Sequence, residues 1–229
     1  MFVTYLESDL IGKLHCQLLN QTPTLNTYYH INNNPDCIWK AGDEFYFGQE
    51  YNKFWRSFLE KGAYIKLNGD KHPGDKVVKT ALHWYLRKEP VPVQMKGYHF
   101  NPVFTLKEAI DCLGHSTIII RELIFEAIRK EFYPELPSRH NCIWLTPDDK
   151  QSLQNWKNLV YGGNKRIFRV ETDGIIHRAA HKWLITGTLP LNEINSMANN
   201  YWKGNDAGSF DDEILFTGKL IIIEELTNL

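Results

Sequence analysis

An α+β fold is what this sequence predicts, and three observations predict it. Short apolar runs rich in aromatic and β-branched residues, at 28–31, 141–145, 166–171 and 214–216, read as strands spread over the whole chain. Stretches with helical spacing fall between them without the regular strand-helix alternation of a parallel sheet. The chain has 229 residues, 43% hydrophobic and 23% charged, enough to bury one sizeable core without disulfides or metals. The expected organisation is one domain over 1–229 with an insertion at about 62–104.

Residues 28–31 carry Tyr28, Tyr29, His30 and Ile31, and the turn chemistry of Asn32 to Asp36 ends the strand there. Tyr51, Phe54, Trp55, Phe58 and Leu59 recur at helical spacing over 49–61, closed by Gly62. From 62 to 103 the pattern loses periodicity and gathers Gly69, Pro73, Gly74, Pro90, Pro92, Gly97 and Pro102, with one helical piece at 77–87. Thr105 and Glu108 have capping-box spacing for a helix that Gly114 should stop. A second helix is expected over 117–132, with Pro134 and Pro137 barring its extension. Strand 141–145 feeds a helix through Thr146 as cap and Pro147 as first helical residue. After a turn at Gly162-Gly163-Asn164, residues 166–171 alternate as a strand, 175–184 and 192–202 look helical, and 214–216 with 219–224 read as a hairpin turning at Thr217-Gly218.

Acids and bases nearly cancel, leaving a formal charge of −1, so no overall field draws the molecule to nucleic acid or an anionic membrane. Cys16, Cys37, Cys112 and Cys142 form no Cys-x-x-Cys pair, which speaks against structural zinc and offers no disulfide framework. The longest apolar stretches, at 116–125 and 220–223, are far short of the ~20 residues of a membrane-spanning helix. The first nine residues lack a basic region followed by an apolar one, so a cytoplasmic location with reduced thiols is expected.

Three separated segments carry polar residues on strand-like runs: Tyr28-Tyr29-His30-Ile31, Ser138-Arg139-His140-Asn141-Cys142-Ile143-Trp144-Leu145-Thr146, and Asp211-Asp212-Glu213-Ile214-Leu215. In order and spacing they resemble the signature of ADP-ribosyltransferase domains, in which a first-strand His or Arg, a second-strand hydroxyl or aromatic and a late Glu converge on NAD. The resemblance spans roughly 28–224 and is nearest to a bacterial group of uncharacterised members placed with these enzymes, some relatives being toxins or phage-defence proteins. It implies a split β-sheet core with surrounding helices and no metal. Glu213 would be catalytic, its carboxylate stabilising positive charge on the ribose as nicotinamide leaves. His30, Tyr29, Arg139 and Thr146 would bind NAD, and Asp211 and Trp202 would recognise the acceptor. The middle segment departs from the family pattern at Trp144-Leu145-Thr146, and Asp211 is shorter than the usual Glu or Gln. The same residues also have plain readings: Glu213 as an exposed acid, His30 as a packed imidazole, Arg139 as a surface charge, Thr146 as a helix cap.

What the resemblance implies is transfer of ADP-ribose from NAD to a protein or nucleic acid, with a neutralising antitoxin as partner. The alternatives are a non-enzymatic interaction module using Trp144 and Trp202, and an NAD glycohydrolase in which water accepts the ADP-ribose. Other patterns are weaker. His177 and His181 stand one helical turn apart, but the base of a His-Glu-x-x-His site and a third ligand are missing. Gly162-Gly163-Asn164-Lys165 is too short for a phosphate loop. Lys157, Lys165, Arg166, Arg169, Arg178 and Lys182 with Trp156, Tyr161 and Phe168 form a basic, aromatic stretch suited to single-stranded nucleic acid, or simply a solvated face.

Overall fold

The computed structural model describes residues 26–60, 62–67, 70–87, 102–160 and 165–226. In chain order these form β1 (Asn26–Asn32), β2 (Glu44–Phe47), α1 (Lys53–Glu60), β3 (Tyr64–Leu67), β4 (Asp70–Pro73), α2 (Gly74–Arg87), α3 (Pro102–Phe132), β5 (Ile143–Pro147), α4 (Lys150–Leu159), β6 (Arg166–Ala179), a 3₁₀ turn (His181–Leu184), α5 (Leu191–Trp202) and β7 (Glu213–Leu226). The fold is α+β, with every strand pair antiparallel.

The main sheet runs β2-β7-β5-β1-β6, and β6 pairs again with β7. Strands β7, β5, β1 and β6 therefore close into a ring, and β2 adds along the far half of β7. Alternation along the strands sorts side chains between two clusters. Ile143, Leu145, Phe168, Val170, Ile214, Phe216, Leu220 and Ile222 form one, joined by Tyr28, Trp39 and Phe45. Leu215, between Ile214 and Phe216, points the other way, to Phe125 and Ile128 of α3 and Ala198, Tyr201 and Trp202 of α5. Fully burying a large apolar side chain stabilises by about 1.5–3 kcal/mol, so Phe125, Phe168 and Phe216, all 0% exposed, anchor the two layers.

Two glycines let the long strands approach. Gly174 of β6 lies opposite Gly218 of β7. A Cβ on Gly218 would come within 2.5 Å of the Asp173 carbonyl oxygen and 2.8 Å of the Gly174 Cα, and its φ is +131°. That geometry excludes side chains at the crossing, and β7 runs on through Thr217-Gly218 where a turn was expected. The terminal hairpin expected over 214–224 is accordingly one continuous strand.

Three further expectations change. Residues 175–179 extend β6, because Ile175 and Ile176 pair with Thr217 and Phe216; only His181–Leu184 is helical, as a 3₁₀ turn. His177 is thus on a strand and the two imidazoles do not share an α-helix. Gly114 does not end a helix: α3 runs 31 residues through it, since a helical interior tolerates one glycine at a cost of about 1 kcal/mol. Asp149, not Thr146, caps α4, its carboxylate accepting from the Ser152 N–H at 2.8 Å. The region expected as an insertion contains the β3-β4 pair and α2, while 88–101 lies outside the described residues. Among the described residues no helix is long and apolar enough to cross a membrane.

Candidate functional site

The apolar stretch of α3 carries two adjacent charges, Arg121 and Glu122, that its helical phase turns inward, and Glu122 is 0% exposed. A buried carboxylate persists only with partners. Arg139, in the loop before β5, supplies them: its Nε donates to Glu122 Oε2 at 2.9 Å and its Nη2 to Oε1 at 3.3 Å. Arg121 adds Nη2 to Glu122 Oε1 at 2.7 Å and spends its Nη1 on the Leu184 carbonyl. Burial works to raise the Glu122 carboxyl, but the charges of Arg139 and Arg121 outweigh it and hold it below the usual range.

Glu213, the first residue of β7, completes the cluster. Its Oε1 accepts from Arg139 Nη1 and from the Tyr201 hydroxyl. Arg139 Nη1 also donates to that hydroxyl at 2.8 Å. Two guanidiniums and two carboxylates, from α3, the loop before β5 and β7, thus balance in the interior around the phenol of α5. Burial pushes the Tyr201 phenol well above its ordinary range, so it stays a hydroxyl and a donor. His177 accompanies Tyr201, bonding its carbonyl at 3.0 Å, and burial lowers the imidazole to about 4.

The loop bearing Arg139 is braced on both sides. Ser138 donates its hydroxyl to Glu126 Oε2 at 2.8 Å, and Glu126 is gripped by Arg129. Asn52 Nδ2 donates to the carbonyls of Arg139 and Cys142, at 2.7 and 3.1 Å. The His140 ring stacks on Trp55, centroids 3.7 Å apart and planes within 3°. A shallow surface depression of about 310 Å³ lined by Gln49, Glu50, Tyr51 and Arg56 lies where chain 48–52 crosses this loop.

The structure therefore brings together two of the residues selected from sequence, Arg139 and Glu213, which are 74 positions apart. Neither is exposed: Arg139 retains 4% and Glu213 5% of its surface, so the surface-charge and exposed-acid readings are both corrected. His30 is elsewhere. Its Nδ1–H donates to the Trp144 carbonyl at 3.0 Å and its ring packs on Trp39, 5.1 Å between centroids. Trp39 belongs to the cluster on the opposite sheet face from Tyr201, so His30 and Glu213 do not converge. Burial lowers His30 to about 4, partly offset by the Trp144 carbonyl.

Tyr29 faces Asp148, which also pairs with Arg169 at 3.2 Å. Thr146 is a buried β5 residue opposite Tyr29. Asp211 is half-buried, its charge acting on His181. Trp202 cannot form an acceptor-recognition surface, because it is 2% exposed, donates Nε1 to the Phe125 carbonyl at 2.8 Å and stacks on His177. Sequence reasoning missed Tyr201, Arg121 and Glu122. The last two had a signal, adjacent charges inside the apolar run 116–125.

A family model described as a protein of unknown function, DUF2441, matches residues 28–228. The chain belongs to the DUF2441 family. A search of curated proteins finds no match. The DUF2441 match contains every residue of the buried charge cluster, from Arg121 to Glu213, as well as His30. Among the described residues of this DUF2441 protein, no group of three or more His, Cys, Asp or Glu side chains is placed to hold a metal ion.

Proposed function

We propose that the protein is a cytoplasmic transferase that moves ADP-ribose from NAD to a macromolecular acceptor, protein or nucleic acid, with Glu213 as the working carboxylate. The observation that carries this reading is the meeting of two distant segments: Glu213, opening β7, stands against Arg139 of the loop before the neighbouring strand β5. In the donor, the bond between nicotinamide and ribose breaks with positive charge on the ribose, and a preorganised carboxylate opposes that charge. Tyr201 and Arg139 fix the Glu213 carboxylate in orientation. The Arg139 guanidinium is committed to Glu122, Tyr201 and Glu213, so its role is to position Glu213 and not to hold a phosphate. His30 is likewise committed to Trp144 and Trp39. A split-sheet transferase architecture, NAD as donor and a neutralising partner protein belong to this same proposal.

The near-complete burial of Glu213 favours a second reading, an interaction module in which the charge cluster is purely structural. One experiment separates them. Wild-type and Glu213→Gln proteins are incubated with labelled NAD in a lysate, and label is divided into protease-sensitive and nuclease-sensitive fractions. The transferase reading expects incorporated label that falls at least ~100-fold in the variant, as for loss of a group that stabilises transition-state charge. Released nicotinamide without labelled acceptor identifies a glycohydrolase. No label and no nicotinamide from a wild-type sample shown by mass spectrometry to be free of bound protein supports the module.

A further inference from the structure

Asn52, the residue before α1, ties that helix to the loop that carries Arg139. Its Oδ1 accepts from the Trp55 N–H at 2.9 Å and its carbonyl from the Arg56 N–H at 3.0 Å, which caps the helix. Its Nδ2 donates both protons to the loop, to the carbonyls of Arg139 and Cys142 at 2.7 and 3.1 Å, and its backbone N–H donates to the His140 carbonyl at 2.8 Å. One residue thus satisfies three carbonyls on residues that are 4%, 1% and 7% exposed, where an unpaired backbone oxygen is costly. Packing joins the same two pieces. Trp55 stacks on His140, and Phe54 meets Trp144 edge-on with centroids 5.6 Å apart.

We propose that Asn52 is a positioning residue for Glu213, acting through Arg139. This inference rests on the reading of Glu213 as the working carboxylate. Arg139 links the two: its carbonyl accepts from Asn52, and its Nη1 donates to Glu213 and to the Tyr201 hydroxyl that also holds Glu213. A guanidinium on a long side chain keeps a fixed target only if its own backbone is fixed. Displacing a reacting group by about 1 Å through a distant substitution costs up to ~100-fold in rate.

The cap and the clamp on the loop are separable. Asn52→Ser keeps a good helix cap, but its hydroxyl is too short to reach both carbonyls; Asn52→Gly, nearly as good a cap, replaces it if the first variant does not fold. Urea unfolding in a double-mutant cycle with Glu213→Gln, or with Tyr201→Phe if that variant does not fold, reads the coupling without any need for activity. Independent sites add within about 2-fold in the unfolding constant, so the proposal expects a departure beyond that limit, and additivity within it overturns the proposal. Ile222→Val, on the same strand but in the opposite cluster, should add with Asn52→Ser; equal coupling there would mean strain spread through the sheet and overturns it too. With NAD, nicotinamide release per folded molecule of Asn52→Ser should fall at least ~10-fold in kcat with KM held within ~3-fold, and any other pattern counts against positioning. A wild type that releases no nicotinamide defeats the catalytic reading of Glu213, whereas the cycle still decides whether Asn52 governs that carboxylate.

Discussion

Glu122 is held by two guanidiniums at 0% exposure, so truncating it strands Arg121 and Arg139 as uncompensated buried charges. Glu122→Ala should cost about 3–5 kcal/mol in urea unfolding, whereas a surface pair such as Lys79–Asp75 should cost under ~1 kcal/mol. The histidines set a pH dependence. His30 and His177 have folded values of about 4 against 6.5 for the free side chain, so only the unfolded chain takes up those protons between pH 6.5 and 4. Stability is fully present above about pH 6.5 and is lost as pH falls towards 4, by up to about 3 kcal/mol per histidine. Thermal melts from pH 7.5 to 4.5 check this, and His177→Asn should flatten the slope. At this scale the sequence revealed chemistry better than surroundings. Arg139 and Glu213 could be chosen only through the family resemblance of their segments, and partnership across 74 residues and burial of both depend on the phase in which α3 and β7 meet, which short-range patterns do not encode.

Elements were most legible where period and punctuation agreed. Residues 192–202 repeat apolar positions with helical spacing, and α5 is observed at Leu191–Trp202. The strand at 166–171 is likewise present, though β6 continues to Ala179. Glycine misled twice, for opposite reasons. Gly114 looked like a helix stop but sits inside α3 with nothing within 4 Å of where a Cβ would stand. Gly114→Ala should therefore raise stability by about 0.5–1 kcal/mol, readable as a higher urea midpoint at constant slope. Gly218 looked like a hairpin turn and is a strand position in close contact with β6. Gly218→Ala combines a positive φ with a backbone clash and should cost about 2–5 kcal/mol. The ends of β6 and β7 were hidden because their pairing is mutual: residues 175–179 have helical spacing alone and become strand only opposite 213–217.

For the molecule as a whole, β7 is the central strand. It pairs with β6 along nearly all of one edge and with β5 and β2 along the other, so amide exchange should be slowest at 214–222 and faster in β3 and β4, which among the described residues pair only with each other. Fold class could be read from the distribution of strands and helices, but ring closure could not, because it rests on β1 meeting β6 at Asn26↔Thr172 and Asn32↔Arg166. That closure orders events in time. A ribosome adding about 5–20 residues per second needs roughly seven to thirty seconds to travel from β1 to its partner in β6. Until β5 emerges, late in that interval, Tyr28, Tyr29 and Ile31 have neither of their ladder partners, and a chaperone that shields short aromatic segments would find its substrate in β1.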